Sequence, residues 1–259
     1  MMRIHVFASG SSGNCLLLED QNTRILIDAG ISKRRVEAAL HALDRKLGDI
    51  GGVLITHEHS DHISGLESLV SRNRTPVYAP RTVCARLWGM LPGLDGLLRE
   101  CPVGEAFPLG DLQVTAFHTS HDTDECVGYR VEGSGVYAHA TDTGCVTGEM
   151  RAALAGADTV LLESNHDEEM LRFGPYPIYL KRRILSDRGH LSNAACAALA
   201  SELAASGTKR IILAHLSREN NTPRKALECT SLALEGMNTR LCCAPVLGCL
   251  TVDIRNAEF

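Results

Sequence analysis

Short apolar runs of strand length alternate along the chain with longer segments whose apolar positions recur every three or four residues. Near the start, "RIHVFA", "NCLLLED" and "RILIDAG" predict three consecutive strands joined by tight turns. "SKRRVEAALHALD" follows with helical spacing, and Ser32 stands where an N-cap belongs. "GGVLITH" predicts a buried strand ending at His57. Further strands are predicted at "TPVYA", "DLQVTAF", "CVGYRVE", "GVYAHA", "DTVLLE", "KRIILAH" and "VLGCLTVDI". Helices are predicted at residues 63–72, 80–91, 148–155, 168–186, 192–206 and 223–235. A meander followed by interleaved strands and helices predicts an α/β protein with two sheets and helices outside. No repeat, low-complexity stretch or linker interrupts residues 1–259, so one domain is expected.

Composition narrows the class. With 259 residues, 44% of them hydrophobic, the chain can bury a sizeable core. No apolar run approaches the roughly 18 residues of a membrane span. The start, "MMRIHVFASG", lacks the basic-then-apolar pattern of a secretory signal, so a soluble cytoplasmic protein is expected. The ten cysteines are scattered with no CxxC and are expected to be reduced and mostly buried. The net charge of −5 argues against nucleic-acid binding over the whole surface, so any such role needs a local basic patch.

The chemistry begins at "THEHSDH". His57, His59, Asp61 and His62 fall directly after the predicted buried strand. In an extended His-x-His, both imidazoles project to one side, and the following turn can aim Asp61 and His62 at a second ion. Imidazole and carboxylate together suit zinc, manganese or iron.

With "ILIDAG", "TSHDT", "ATDTG" and "ILAHLS" at later element ends, the chain resembles the metallo-β-lactamase fold superfamily along its whole length. The resemblance implies a four-layered αββα sandwich with metals at one edge. It implies that His57, His59 and His121 hold one ion, that Asp61, His62 and His215 hold a second, and that Asp142 bridges them. Asp28 is implied as a structural support behind the ligands. The cofactors would be two divalent ions, Zn²⁺ or Mn²⁺, about 3.5–4 Å apart, with a bridging hydroxide as nucleophile and Asp61 among the catalytic groups. Cys145 does not fall where the main class of β-lactamases places its cysteine ligand, which disfavours antibiotic hydrolysis.

"ASGSSGN" is a turn between strands. It reads either as a hairpin needing positive φ at Gly10 or Gly13, or as a phosphate-holding loop of Ser11, Ser12, Gly13 and Asn14. Together with the metal motifs it resembles the YycJ (WalJ) family, which implies a DNA exonuclease, 5′-to-3′ in direction. In "DRGHLSNAACAALA", His190 precedes an Ala-rich helix. The phosphodiesterase branches of the superfamily, including tRNA 3′-processing enzymes, place there a histidine that protonates the leaving alkoxide. Glu163, in "VLLESN", matches the partner glutamate of the tRNA-processing branch. The plainer reading of His190 is a helix start capped by Ser192 or Asn193. His166, in "ESNHD", reads either as lining the site or as loop polarity. His5 and His139 read as core histidines, His41 as a surface residue, and His118 as a neighbour of the ligands.

Lys33-Arg34-Arg35 and Lys181-Arg182-Arg183, with Arg72, Arg74, Arg172 and Arg188, are each an ordinary solvated face. Gathered at the metal edge they would form the basic patch that a phosphodiester backbone needs. Aromatic residues are few, so base stacking is not indicated. The stretch between Asp142 and His215 is too short for the cap domain of β-CASP RNA nucleases. The leading expectation is a dinuclear-metal phosphodiesterase acting on DNA. A cyclic nucleotide or cyclic ribose phosphodiesterase is the alternative. A thioester or lactone hydrolase is a third, and it would leave His190 without a role.

Overall fold

The computed structural model describes residues 1–254. The meander is β1 (Arg3–Ala8), β2 (Cys15–Asp20) and β3 (Thr23–Ile27). Parallel strands β4 (Gly52–Leu54), β5 (Val77–Ala79) and β6 (Leu98–Glu100) extend it, and β14 (Leu250–Asp253) closes the other edge beside β1. The first sheet thus has seven strands in the order β14-β1-β2-β3-β4-β5-β6. The second begins with antiparallel β7 (Ala106–Leu109), β8 (Leu112–His118), β9 (Val127–Glu132) and β10 (Val136–Ala140). It continues in parallel through β11 (Thr159–Glu163), β12 (Arg210–Ala214) and β13 (Arg240–Cys243), also seven strands.

Both faces of the central strands are buried, so alternate residues serve different layers. Ile25 and Ile27 of β3 meet Tyr129, Leu161 and Ile212 in the core between the sheets. Leu26 faces the other way, onto Val36, Leu40 and Leu66 of the helices α1 (Lys33–Ala42) and α3 (Leu66–Val70). On the second sheet Ile211 and Leu213 turn outward instead. They pack on Met150 of α5 (Gly148–Leu154), Leu199 of α8 (Asn193–Ala205) and Ala226 of α9 (Pro223–Ala233). The result is the four-layered αββα sandwich.

Several elements differ from the predicted ones. The helix predicted over 63–72 is α2 (Ser60–Ile63) and α3, broken at Gly65. A Cβ on Gly65 would lie 1.9 Å from the carbonyl oxygen of Ile31, so the backbones approach there too closely for a side chain. The helix predicted over 168–186 is α6 (Glu168–Phe173) and α7 (Ile178–Ile184), separated by Gly-Pro-Tyr-Pro. Pro175 and Pro177 bar a continuous ladder. The helix predicted over 80–91 is α4 (Arg81–Met90). Strands β6, β7 and β13 escaped the sequence because they are short edge strands, and Pro108 within β7 argues against a strand. Ser32 holds the N-cap position of α1, yet its side chain makes no capping bond. Among the described residues no cysteine is paired; half are buried and Cys249 is exposed.

Candidate active site

The site assembles where strands end. Asp28 follows β3, His57 lies just past β4, Asp142 follows β10, Glu163 closes β11 and His215 follows β12. These strands point the same way within each parallel segment, so their C-terminal ends share one edge. Asp28, Asp142 and His215 have φ of +59°, +56° and +54°. A left-handed residue at a strand end turns its side chain sharply toward its neighbours, and Asp and His tolerate it better than bulky residues.

Four overlapping groups of ligand-type atoms converge there, the atoms of each within 4.8 Å of one another. They are His57, His59 and His121; His57, His62 and Asp142; Asp61, His62 and His215; and Asp142, Glu163, His190 and His215. Asp142 joins the sets. Its Oδ2 is 3.3 Å from His62 Nε2, and its Oδ1 is 3.7 Å from His121 Nε2 and 3.6 Å from His215 Nε2. Each imidazole is held from behind. His62 Nδ1 donates to Asp28 Oδ2 at 2.7 Å, His121 Nδ1 donates to the Gly189 carbonyl at 3.0 Å, and His215 Nδ1 donates to Glu163 Oε1 at 3.0 Å. Donation from Nδ1 leaves Nε2 as the free lone pair. Three atoms in the cluster, His57 Nε2, His215 Nε2 and Asp142 Oδ2, are buried with no hydrogen-bond partner. Burying a polar atom unpaired is costly unless something else satisfies it. Unpaired imidazole nitrogens around a buried carboxylate fit divalent metal ions, and the N/O donor set suits zinc or manganese.

The protonation balance agrees. Burial pulls His62 and His215 down, but Asp28, Asp61, Asp142 and Glu163 outweigh it and hold both well above the ordinary value. Burial pushes Asp142 up, but His215, His62 and His57 carry it well below the usual carboxylate range. The carboxylates therefore demand positive charge at this edge.

Beside the ligands, His190 Nδ1 lies 2.8 Å from Glu163 Oε1, the oxygen that also accepts from His215. Glu163 Oε2 accepts from the backbone N–H of Thr143 at 2.9 Å and of Leu191 at 3.2 Å. Fully buried, Glu163 thus aims two histidines at once. His190 is 3.8 Å from Asp142 Oδ1, and its ring centroid is 5.0 Å from that of His121. Its side chain stays 21% exposed, enough to meet a substrate. The cap of α8 comes from Ser192, whose Oγ accepts from the Ala195 N–H. Asn193 instead bonds Ser164 and Asn221. His190 opens on a cleft of about 260 Å³ whose lining includes Ser11, His121, Asp122, Tyr176 and Arg183.

A family model for the beta-lactamase superfamily domain matches residues 23–216. The chain belongs to the metallo-β-lactamase superfamily. It is 39% identical over 240 residues to the exodeoxyribonuclease YycJ of Bacillus anthracis, covering 90% of this chain and 89% of that protein. It is 38% identical over 220 residues to the exodeoxyribonuclease WalJ of Streptococcus pneumoniae, covering 83% and 82%. The metallo-β-lactamase fold protein YhfI of Bacillus subtilis superposes with a TM-score of 0.72 at 16% identity, covering 97% of this chain and 99% of that one.

Gly10 and Gly13 have φ of +131° and +144°, as a tight turn needs. Three of the loop's N–H groups already have partners. Gly13 bonds the Gly10 carbonyl, Asn14 bonds the Asp61 carbonyl, and Gly10 bonds the Asn14 side chain. Asn14 Nδ2 reaches Asp61 Oδ2 at 3.3 Å and His62 Nε2 at 3.1 Å, so Asn14 supports the ligand cluster. Ser11 faces the cleft, and Ser12 accepts from Arg218. His166 is buried and lines a second cleft with Arg172, Ser192 and His190, the last of which also borders the first cleft. His118 points away, half exposed and paired with Glu149. His5 and His139 are buried, and His41 is exposed.

Several side chains of the basic runs are already engaged. Lys181 Nζ donates to the carbonyls of Arg172 and Gly174, Arg183 pairs with Asp122, and Lys33 pairs with Glu37. Arg188 braces the metal loop, donating to the His121 carbonyl at 2.9 Å and the Thr123 carbonyl at 2.6 Å. Sequence reasoning also missed Asp122, whose Oδ1 is 3.3 Å from His121 Nε2 and 3.8 Å from His59 Nε2. Its only signal was adjacency to a ligand. Thr56 was missed too; its N–H and hydroxyl both donate to Asp28, and its Oγ1 lies 3.0 Å from His57 Nδ1.

Proposed function

We propose that this protein is a dinuclear-metal phosphodiesterase that degrades DNA from its ends, in the 5′-to-3′ direction. The relatives named exodeoxyribonucleases support the substrate class. The observation that carries the chemistry is the His190–Glu163 contact at 2.8 Å, beside the ligand cluster. His57, His59 and His121 would hold one ion and Asp61, His62 and His215 the other, with Asp142 between them. Such ions supply Lewis acidity, polarising a phosphoryl oxygen and lowering the pKa of water toward neutral.

The chain's own residues do the rest. Asp28, Gly189 and Glu163 fix the imidazole tautomers from behind. Glu163 accepts a hydrogen bond from the Nδ1–H of His190, which leaves Nε2 for the substrate. Burial lowers His190, but the charge and hydrogen bond of Glu163 and the charge of Asp142 raise it above its ordinary value overall. A protonated His190 can hand a proton to the departing sugar oxygen, a poor leaving group otherwise. A thioester has a good leaving group and needs no such acid, so the His190–Glu163 pair favours phosphodiester chemistry.

The test is a labelled DNA duplex with one blocked 5′ end, incubated with Mn²⁺- or Zn²⁺-loaded protein at low salt. Release of mononucleotides from the free 5′ end is expected. An intact duplex alongside hydrolysis of bis-p-nitrophenyl phosphate would move the reading to a small phosphodiester. Cleavage of thioesters alone would remove phosphodiester chemistry altogether.

A further inference from the structure

The connection between α6 and α7 carries the two most exposed aromatic rings among the described residues, ahead of Trp88 at 67%. Only five phenylalanines and five tyrosines occur in the sequence, and Phe117, Tyr129 and Tyr137 are fully buried. Yet Phe173, Tyr176 and Tyr179 stand together in "FGPYPIY", with Phe173 87% and Tyr179 75% exposed. The arm is stiff. Pro175 and Pro177 restrict φ, and Lys181 Nζ ties the end of α6 by donating to the carbonyls of Arg172 at 2.8 Å and Gly174 at 2.7 Å. Asp167 caps the start of α6 through the Met170 N–H. Exposed rings on a rigid mount incur little entropy loss when a planar partner lies on them.

What that partner is follows from the surroundings. Tyr176 lines the same cleft as His190, and Phe173 and Tyr179 stand three residues to either side of it in the chain. Arg182 is exposed on α7, and Arg172 is exposed on α6 while paired with Glu168 at 3.3 Å. Apolar planes beside the exposed Arg182 match an unpaired nucleic-acid strand, whose bases offer π-faces and whose backbone is anionic. A protein or a second copy seated on the same rings would cover the mouth of the cleft.

We propose that Phe173, Tyr176 and Tyr179 form a stacking platform for the terminal bases of the DNA strand whose scissile phosphate lies at His190. This rests on the nuclease reading, and it reverses the expectation drawn from the chain-wide scarcity of aromatics: three rings suffice when the fold sets them beside the cleft.

The experiment compares metal-loaded wild-type protein with Phe173→Ala/Tyr179→Ala and with Tyr179→Phe. The substrates are duplexes ending either in normal nucleotides or in two abasic sites. Wild type should favour the base-bearing end by about tenfold or more in kcat/KM, since losing base–ring stacking costs roughly that factor. The double variant should lose the preference and Tyr179→Phe should keep it. An unchanged preference in the double variant overturns the platform, as does a change of oligomeric state by light scattering without loss of preference. Quenching of a terminal 2-aminopurine in a phosphorothioate-linked strand separates the two readings. Ring-dependent quenching without DNA cleavage upholds the platform and removes the nuclease. Cleavage with neither quenching nor preference removes the platform and keeps the nuclease.

Discussion

Glu163 Oε1 accepts from His190 at 2.8 Å and from His215 at 3.0 Å, so the two histidines share one carboxylate oxygen but differ in what their loss removes. His190→Ala removes a group outside the proposed ligand set. Turnover of a DNA substrate should fall by about 10²–10⁴, the usual contribution of a general acid. Two ions per chain should remain bound, as read by elemental analysis. Glu163→Gln should also slow turnover, but it loosens His215 as well. Metal affinity should then weaken by about 10–100-fold, measured by competition with a chelator. Equal metal loss in both variants would show that His190 is itself a ligand. A different residue contributes to the loss of stability in acid. His139 is fully enclosed, its Nδ1 lies 3.1 Å from the Tyr137 hydroxyl, and burial pushes it down to about 4. The unfolded chain takes up that proton below roughly 6.5 while the folded one does not. Stability should therefore be complete above about 6.5 and fall as the pH drops toward 4, by up to ~3 kcal/mol. Urea unfolding between these pH values should show a steeper loss in wild type than in His139→Gln.

At the scale of elements, the site depends on loops pressed against one another. A Cβ on Gly189 would lie 2.2 Å from the Ile184 carbonyl oxygen and 2.3 Å from that of Arg183. Gly189 also supplies the carbonyl that orients His121 and immediately precedes His190. Gly189→Ala must therefore displace both histidines. A shift of about 1 Å is enough for a loss on the order of 100-fold in kcat, which steady-state kinetics would read. Arg188→Ala loses two hydrogen bonds to the loop carrying His121. That should cost about 1–3 kcal/mol of stability in chemical denaturation, since one end of each bond is a charged guanidinium. The central strands were legible because their apolar runs are bounded by turns. The arm of α6 and α7 was not, because Ile178, Tyr179 and Leu180 continue a helical pattern that Pro175 and Pro177 interrupt.

For the whole molecule, the edge that gathers the ligands also gathers repulsion. Asp28, Asp142 and Glu163 are buried, and Asp61 lies beside them. Divalent ions bound to the folded protein alone add RT ln(1 + [L]/Kd), about 4 kcal/mol at a thousandfold excess over Kd. Chelation with EDTA should accordingly lower the melting temperature by on the order of 10 °C, and Zn²⁺ or Mn²⁺ should restore it. A melting curve indifferent to EDTA and to added metal would contradict a metal centre at this edge.

The pattern of apolar runs and turns by itself indicated two sheets with helices outside, because both are local properties, and the resemblance supplied the four-layered sandwich. The sequence by itself also marked His57, His59, Asp61 and His62, since a ligand cluster within one loop is contiguous in the chain. His121, Asp142, Glu163, His190 and His215 entered by resemblance, each an isolated residue at the end of an element. Only tertiary structure decided that these ends meet, because parallel strands far apart in sequence finish at one edge of the sandwich. It alone joined Glu163 to both His190 and His215, drew Asp122 and Thr56 into the site, and turned Lys181 and Arg188 inward as braces. Such contacts depend on distances across the fold, and a linear pattern of residues holds no record of them.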